Sequence, residues 1–155
     1  MDRHTCRRVI IRTLFQIDFG KLAEITDEQL DSMITYAIDP TIEATMPINW
    51  EDYECNSENL TYIKERINDI IQKHEEIDKI ISSTLQNYSL ERLNYVDRAI
   101  IRLAVDELLQ GSLAKDIIIN EALELTKEYS NLDDDKQVKF NNRLLDNISQ
   151  GINNE

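Results

Sequence analysis

Glycine and proline are nearly missing from this chain of 155 residues, with three of the first and two of the second. Those are the residues that turn a backbone sharply, so hairpin-rich sheets, glycine-rich loops and low-complexity linkers are excluded. Gly20, Gly111 and Gly151 lie far apart, and no segment supplies the successive small residues that let backbone amides wrap a phosphate. Cys6 and Cys55 share no C-x-x-C spacing, and His4 and His74 are isolated. Nothing there resembles a zinc ligand set, and two free, reduced thiols are expected, with no metal and no cofactor. The apolar VII stretch behind the first arginines is broken by Arg12 before a signal-peptide core forms. No run approaches the ~20 apolar residues that cross a bilayer, so no membrane contact and a cytoplasmic location are expected. Carboxylates are spread along the chain as solvated faces instead of a convergent pair, so catalysis is not expected.

What the chain does have is charge of one sign. Thirty acidic residues face 17 basic ones, for a formal net charge of -13, and 41% of residues are hydrophobic. A single domain over 1–155 is the natural expectation, burying roughly 70% of its unfolded surface. The charge is not spread evenly. Residues 1–12 hold Arg3, Arg7, Arg8 and Arg12 against Asp2, whereas residues 13–60 set eleven acids against Lys21. A basic cluster of this kind is either a solvated helix end or a phosphate contact site on a body that otherwise repels nucleic acid.

Apolar spacing predicts an all-α chain, a single compact helical bundle of about seven helices. The first, from about Thr5 to Phe19, turns Ile10, Ile11, Leu14, Phe15 and Ile17 inward, with Arg8, Arg12 and Gln16 on its flank. Arg7 is expected to emerge past the end of the packed body. Thr26 or Asp27 caps a second helix that Pro40 ends. Residues 39–56 form the longest irregular stretch. Asn56 or Ser57 opens a third helix running to about His74, with His74 in its last turn. A fourth carries Ile77, Ile80, Ile81 and Leu85. The fifth turns Val96, Ala99, Ile100, Leu103, Ala104 and Leu108 inward and stops at Gly111. Arg98, Arg102, Asp106 and Glu107 are read as its outward ion-pair face. The sixth ends near Tyr129. The acids of the DDDK run at 133–136 suit the start of a seventh, whose buried side is Phe140, Leu144, Leu145 and Ile148.

Three segments carry a resemblance. RHTCRRVIIRTLFQID at 3–18, LERLNYVDRAIIRLAVDEL at 90–108, and INEALELTKEY at 119–129 with KFNNRLLDNI at 139–148 together resemble the NusB family of bacterial transcription antitermination factors. The second is close to that family's VDRAILRLA signature, and the third parallels INEAIELAK and KFVNGVLD. Order and spacing agree along nearly the whole chain, least well over 20–60. The resemblance implies an all-helical, non-enzymatic protein that binds boxA-type single-stranded RNA together with the ribosomal protein NusE. It further implies a place in the RNA polymerase antitermination complex on ribosomal RNA leaders, and that the chain can pair as a homodimer. Arg3, Arg7 and the arm between them, which includes His4, match the family's RNA-contacting segment, with Arg8 and Arg12 beside them. Phe140 and Asn142 match the aromatic and the amide of the KFxN motif.

Read alone, Phe140 lines up with Leu144 and Ile148 as core, and Asn142 is a solvated helix amide. With the resemblance they become a π-face for an unstacked base and a partner for a base edge. Asp97 and Asn120 are expected to make structural hydrogen bonds. Asp2, His4, Asp106, Ala114 and Arg143 depart from the family pattern, and Arg143, replacing a glycine, either adds a phosphate contact beside Phe140 and Asn142 or obstructs the strand's approach. The leading expectation is an RNA-binding antitermination factor whose basic tip and KFNN helix lie side by side and hold one strand. The alternatives are a self-associating interaction scaffold, or a helical RNA-binding domain like those attached to ribosomal RNA methyltransferases; no cofactor-binding segment is legible in 1–155.

Overall fold

The computed structural model describes residues 1–41, 50–86, 89–130 and 134–153. Within them the chain is all-α, with seven α-helices and short 3-10 turns. It divides into two compact units, residues 1–71 and 72–155.

The N-terminal unit holds α1 (Arg3–Gln16), α2 (Asp27–Ile38) and α3, which begins at Ser57 and ends at Gln72 just past the boundary. Both later helices start where side chains can satisfy orphan amides. Thr26 and Gln29 form a reciprocal capping box on α2. Asn56 and Asn59 do the same ahead of α3, each accepting from the other's backbone N–H at 2.8 and 3.2 Å. Asp39 follows α2, with an extended backbone ahead of Pro40, as the residue before a proline must. α1 packs on α2. Gln16 Nε2 donates to the Met33 carbonyl at 2.9 Å and Arg12 Nη1 to that of Ala37 at 3.3 Å.

Three sequence expectations fail on α1. Phe15 is 52% exposed; at 100° per residue it falls on the open arc with Arg8 and Arg12, while Cys6, Val9, Ile10, Thr13 and Leu14 share the buried one. Arg7 lies on that buried arc and is only 4% exposed, so it does not emerge past the packed body. The helix also stops at Gln16, short of Phe19, and residues 19–24 continue as a 3-10 turn.

The C-terminal unit holds α4 (His74–Thr84), α5 (Tyr95–Gln110), α6 (Lys115–Tyr129) and α7 (Lys136–Asn153). α5 is central, packing on α4, α6 and α7. That position has no outer face to give, and it overturns the expected ion-pair surface: Arg102, Asp106 and Glu107 are buried and Arg98 is half-buried. Arg102 forks onto Asp78 of α4, with Nε–Oδ1 at 2.9 Å and Nη2–Oδ2 at 3.0 Å. Arg98 donates to the carbonyls of Leu93, at 2.9 Å, and Glu91. Gly111 closes α5 in the left-handed region, φ 72°, its N–H on the Glu107 carbonyl. His74 opens α4 instead of ending α3. Asp134 and Asp135 lead into α7 with positive φ; Asp133 lies outside the described residues. Among the described residues no helix is long and apolar enough to cross a membrane.

Candidate nucleic-acid interface

The start of α1 gathers the basic arm. Asp2, the one acid in it, is taken up as the N-cap: its Oδ1 accepts the Thr5 N–H at 2.7 Å. That hydrogen bond holds its carboxyl below the ordinary range. The chain terminus is tied to the segment ahead of α3. The Met1 ammonium donates to the Glu54 carbonyl at 2.8 Å, and Asn59 Nδ2 donates to the Met1 carbonyl at 3.1 Å. Arg3 is exposed, with its guanidinium carbon 3.8 Å from the centre of the Tyr62 ring on α3. His4 and Arg8 are half-buried, Arg8 Nη1 standing 3.5 Å from Thr5 Oγ1. Arg12 is exposed, with one donor on the Ala37 carbonyl. The open arc of α1 therefore presents Arg8 and Arg12 with His4 beside them; Arg3, about 140° around the helix from Arg8, lies against Tyr62, and Arg7 is buried. Cys6 and Cys55 are free and buried, and burial pushes both thiols up, which disfavours the reactive thiolate.

The C-terminal unit carries a second cationic surface, which the sequence reading only partly found. An open groove of about 520 Å³ runs between the end of α4, at Thr84 to Gln86, and one face of α7. Lys136, Lys139, Phe140, Arg143 and Asn147 line it. Steps of three, four and seven residues put these side chains on one helical face. Phe140 is half-buried, while Leu144, Leu145 and Ile148 behind it are buried. The ring thus ends the apolar stripe with part of its surface open, flanked by three cations. Arg143 belongs here as expected. Asn142 does not: it is exposed and lies about 200° around α7 from Phe140. Lys136 and Lys139 are the members the sequence reading passed over, although their spacing from Phe140 and Arg143 is legible without a structure.

A buried polar network fixes the first turns of α7. Asn141, fully buried, donates to Asp97 Oδ1 at 3.1 Å and to Thr126 Oγ1 at 3.0 Å, and accepts from Gln137 Nε2 at 2.9 Å. Ser130 Oγ donates to the other Asp97 oxygen at 2.7 Å. Every hydrogen-bonding site of the Asn141 Nδ2 is used, so α7 is held in one rotation about its axis. Asp97 has the structural role expected of it. Asn120 does not, being exposed on α6. Among the described residues no group of three or more His, Cys, Asp or Glu side chains is placed to hold a metal ion.

Two cationic surfaces with half-open aromatic rings, one in each unit, are equipped to hold phosphates and stack bases. The NusB family model matches residues 4–150. The transcription antitermination protein NusB of Bacillus subtilis is 31% identical over 153 residues, covering 98% of either chain. Among solved structures, one described as T. maritima NusB aligns with a TM-score of 0.73 at 28% identity, over 97% of this chain and 92% of that one. A complex described as antitermination factors NusB and NusE with double-stranded RNA aligns at 0.66 and 26% identity, over 97% and 99%.

Proposed function

The chain belongs to the NusB family, and from that premise we propose that it is an RNA-binding transcription antitermination factor, not an enzyme, that acts with the ribosomal protein NusE. The observation that carries this reading is the α7 groove, where Lys136, Lys139 and Arg143 surround the part-open Phe140 ring. Cations neutralise phosphates and so hold any strand; a ring offers its face only to a base that has left its stack. That combination suits single-stranded RNA of the boxA type, as found on ribosomal RNA leaders. The arm of α1 supplies further contacts through Arg3, His4, Arg8 and Arg12, with Arg7 adding its charge from behind. Asn142, on a different side of α7, pairs with a base edge or with the protein partner. The assembly in which these contacts operate is the RNA polymerase antitermination complex.

The test is a gel-shift series comparing a boxA-like strand with a scrambled one, with and without NusE, over a range of salt. The reading expects retention of the boxA-like strand, strengthened by NusE and weakened by salt. Equal retention of both strands, or a flat salt response, overturns it.

One observation favours a second reading, self-association. Phe15 and Tyr36 are 52% and 57% exposed on the paired helices α1 and α2, and large exposed rings are the usual anchors of protein contacts. Sedimentation that shows a dimer lost in Phe15→Ser supports this reading, and a monomer at every concentration removes it.

A further inference from the structure

The α1 arm contains one interaction that its charge does not explain. The N-terminal unit is rich in acids, yet Arg3 makes no ion pair among the described residues and lies instead over the neutral ring of Tyr62, 3.8 Å from its centre. The stack is built in from both sides. Asp2 caps α1 immediately before Arg3, through its bond to the Thr5 N–H. The bonds from the Met1 ammonium to Glu54 and from Asn59 to Met1 fasten the chain terminus to the beginning of α3. Tyr62 lies one turn beyond Asn59, on that same helix. The ring lies on one side of the guanidinium, and Arg3 as a whole is exposed.

From this geometry we infer that Tyr62 is a positioning residue for RNA recognition: it holds the Arg3 guanidinium flat so that an unstacked base layers on the outer face, giving a base–guanidinium–ring sandwich. The inference rests on the RNA-binding reading above. Its physical content is preorganisation. A free arginine loses rotamer freedom when it binds, and an arginine already stacked on a ring has lost much of that freedom beforehand. Guanidinium planes serve as stacking platforms for splayed RNA bases as aromatic rings do. Lysine cannot replace arginine here, because an ammonium has no plane.

The experiment measures binding of a fluorescein-labelled, boxA-like single-stranded RNA to the full chain by anisotropy, over a salt series. The proteins are the wild type, Arg3→Ala, Arg3→Lys, Tyr62→Phe, Tyr62→Leu and the Arg3→Ala/Tyr62→Leu double variant. Tyr62→Phe keeps the π-face and should bind as the wild type does. Tyr62→Leu should bind about three- to fivefold more weakly, the size of one exposed cation–π contact, with an unchanged salt slope because no charge is lost. Arg3→Lys, an exposed change that leaves the fold alone, should lose as much as Tyr62→Leu. The double variant should be no weaker than Arg3→Ala, because Tyr62 acts only through Arg3. Additive losses overturn the inference, as does wild-type affinity in Tyr62→Leu or Arg3→Lys when Arg3→Ala is weakened. If the wild type does not bind the RNA at all, or Arg3→Ala binds as well as the wild type while the groove variants do not, the role of the arm falls, and the two failures are told apart.

Discussion

Asp97 shows how one buried carboxyl sets both a geometry and a pH dependence. It is 1% exposed, and burial raises its pKa; the hydrogen bonds from Ser130 and Asn141 oppose that rise without cancelling it. A raised value means that the folded chain holds a proton at a pH where the unfolded chain has released it. The contribution of this group to stability is therefore full below the ordinary carboxylate value and is lost as pH climbs through the raised one. Asp97→Asn retains an acceptor for Asn141 and cannot titrate. Thermal melts of both proteins from acid to neutral pH should show the wild type losing stability relative to Asp97→Asn as pH rises; a constant difference would refute the assignment. Gly111 is a simpler case at the same scale. A Cβ there would meet nothing within 4 Å, so Gly111→Ala costs only the left-handed backbone, about 1 kcal/mol. A denaturant midpoint matching that of the wild type would show that the cap is not needed.

The elements were legible in proportion to how local their causes are. Thr26, Asn56 and Gly111 mark helix ends through bonds to residues three or four positions away, and the structure uses all three as the spacing predicts. Faces were harder. Apolar spacing identifies one side of α5, but nothing local says that a helix is surrounded, and the polar side reads as solvent-facing. Burial of Arg102 depends on Asp78, 24 residues away on α4, and no period in the sequence connects them. Likewise the role of Asn141 requires Asp97 and Thr126 from two other helices. Of the candidate interface, Phe140 and Arg143 are legible from motif position and Lys136 and Lys139 from helical spacing, whereas which face of α7 lines the groove depends on the rotation that Asn141 fixes. The Asp78–Arg102 fork provides the test at this scale. Asp78→Ala removes the fork from a guanidinium that is 10% exposed and should cost about 2 kcal/mol, the partial exposure of Asp78 reducing the full buried-pair penalty. Asp78→Leu with Arg102→Met should recover most of that loss in a urea melt. A double variant as unstable as Asp78→Ala would show that the fork does more than satisfy its own charges.

For the molecule as a whole, the question is how a chain of net charge -13 holds a polyanion. Salt screens exposed charges beyond about 8 Å at physiological strength, so distant acids repel weakly while cations in contact with phosphate act at full strength. Binding should therefore behave as a local property of the cationic surfaces. If about three to five phosphates are neutralised, log K should fall against log salt with a slope of roughly -2 to -3.5 for a single strand. The two ingredients of the α7 groove can then be separated. Replacing Lys136, Lys139 or Arg143 with glutamine should each flatten the slope by about 0.7 for every phosphate contact removed. Phe140→Leu removes a stacking face but no charge, and should weaken binding by about 1–3 kcal/mol at every salt concentration while the slope stays fixed. Anisotropy titrations across a salt series read both quantities from the same curves. A Phe140→Leu variant that binds like the wild type, with slopes still flattened by the glutamine variants, would reduce the groove to a phosphate clamp with no hold on the bases. Slopes unmoved by all three glutamine variants would place the RNA elsewhere on the chain.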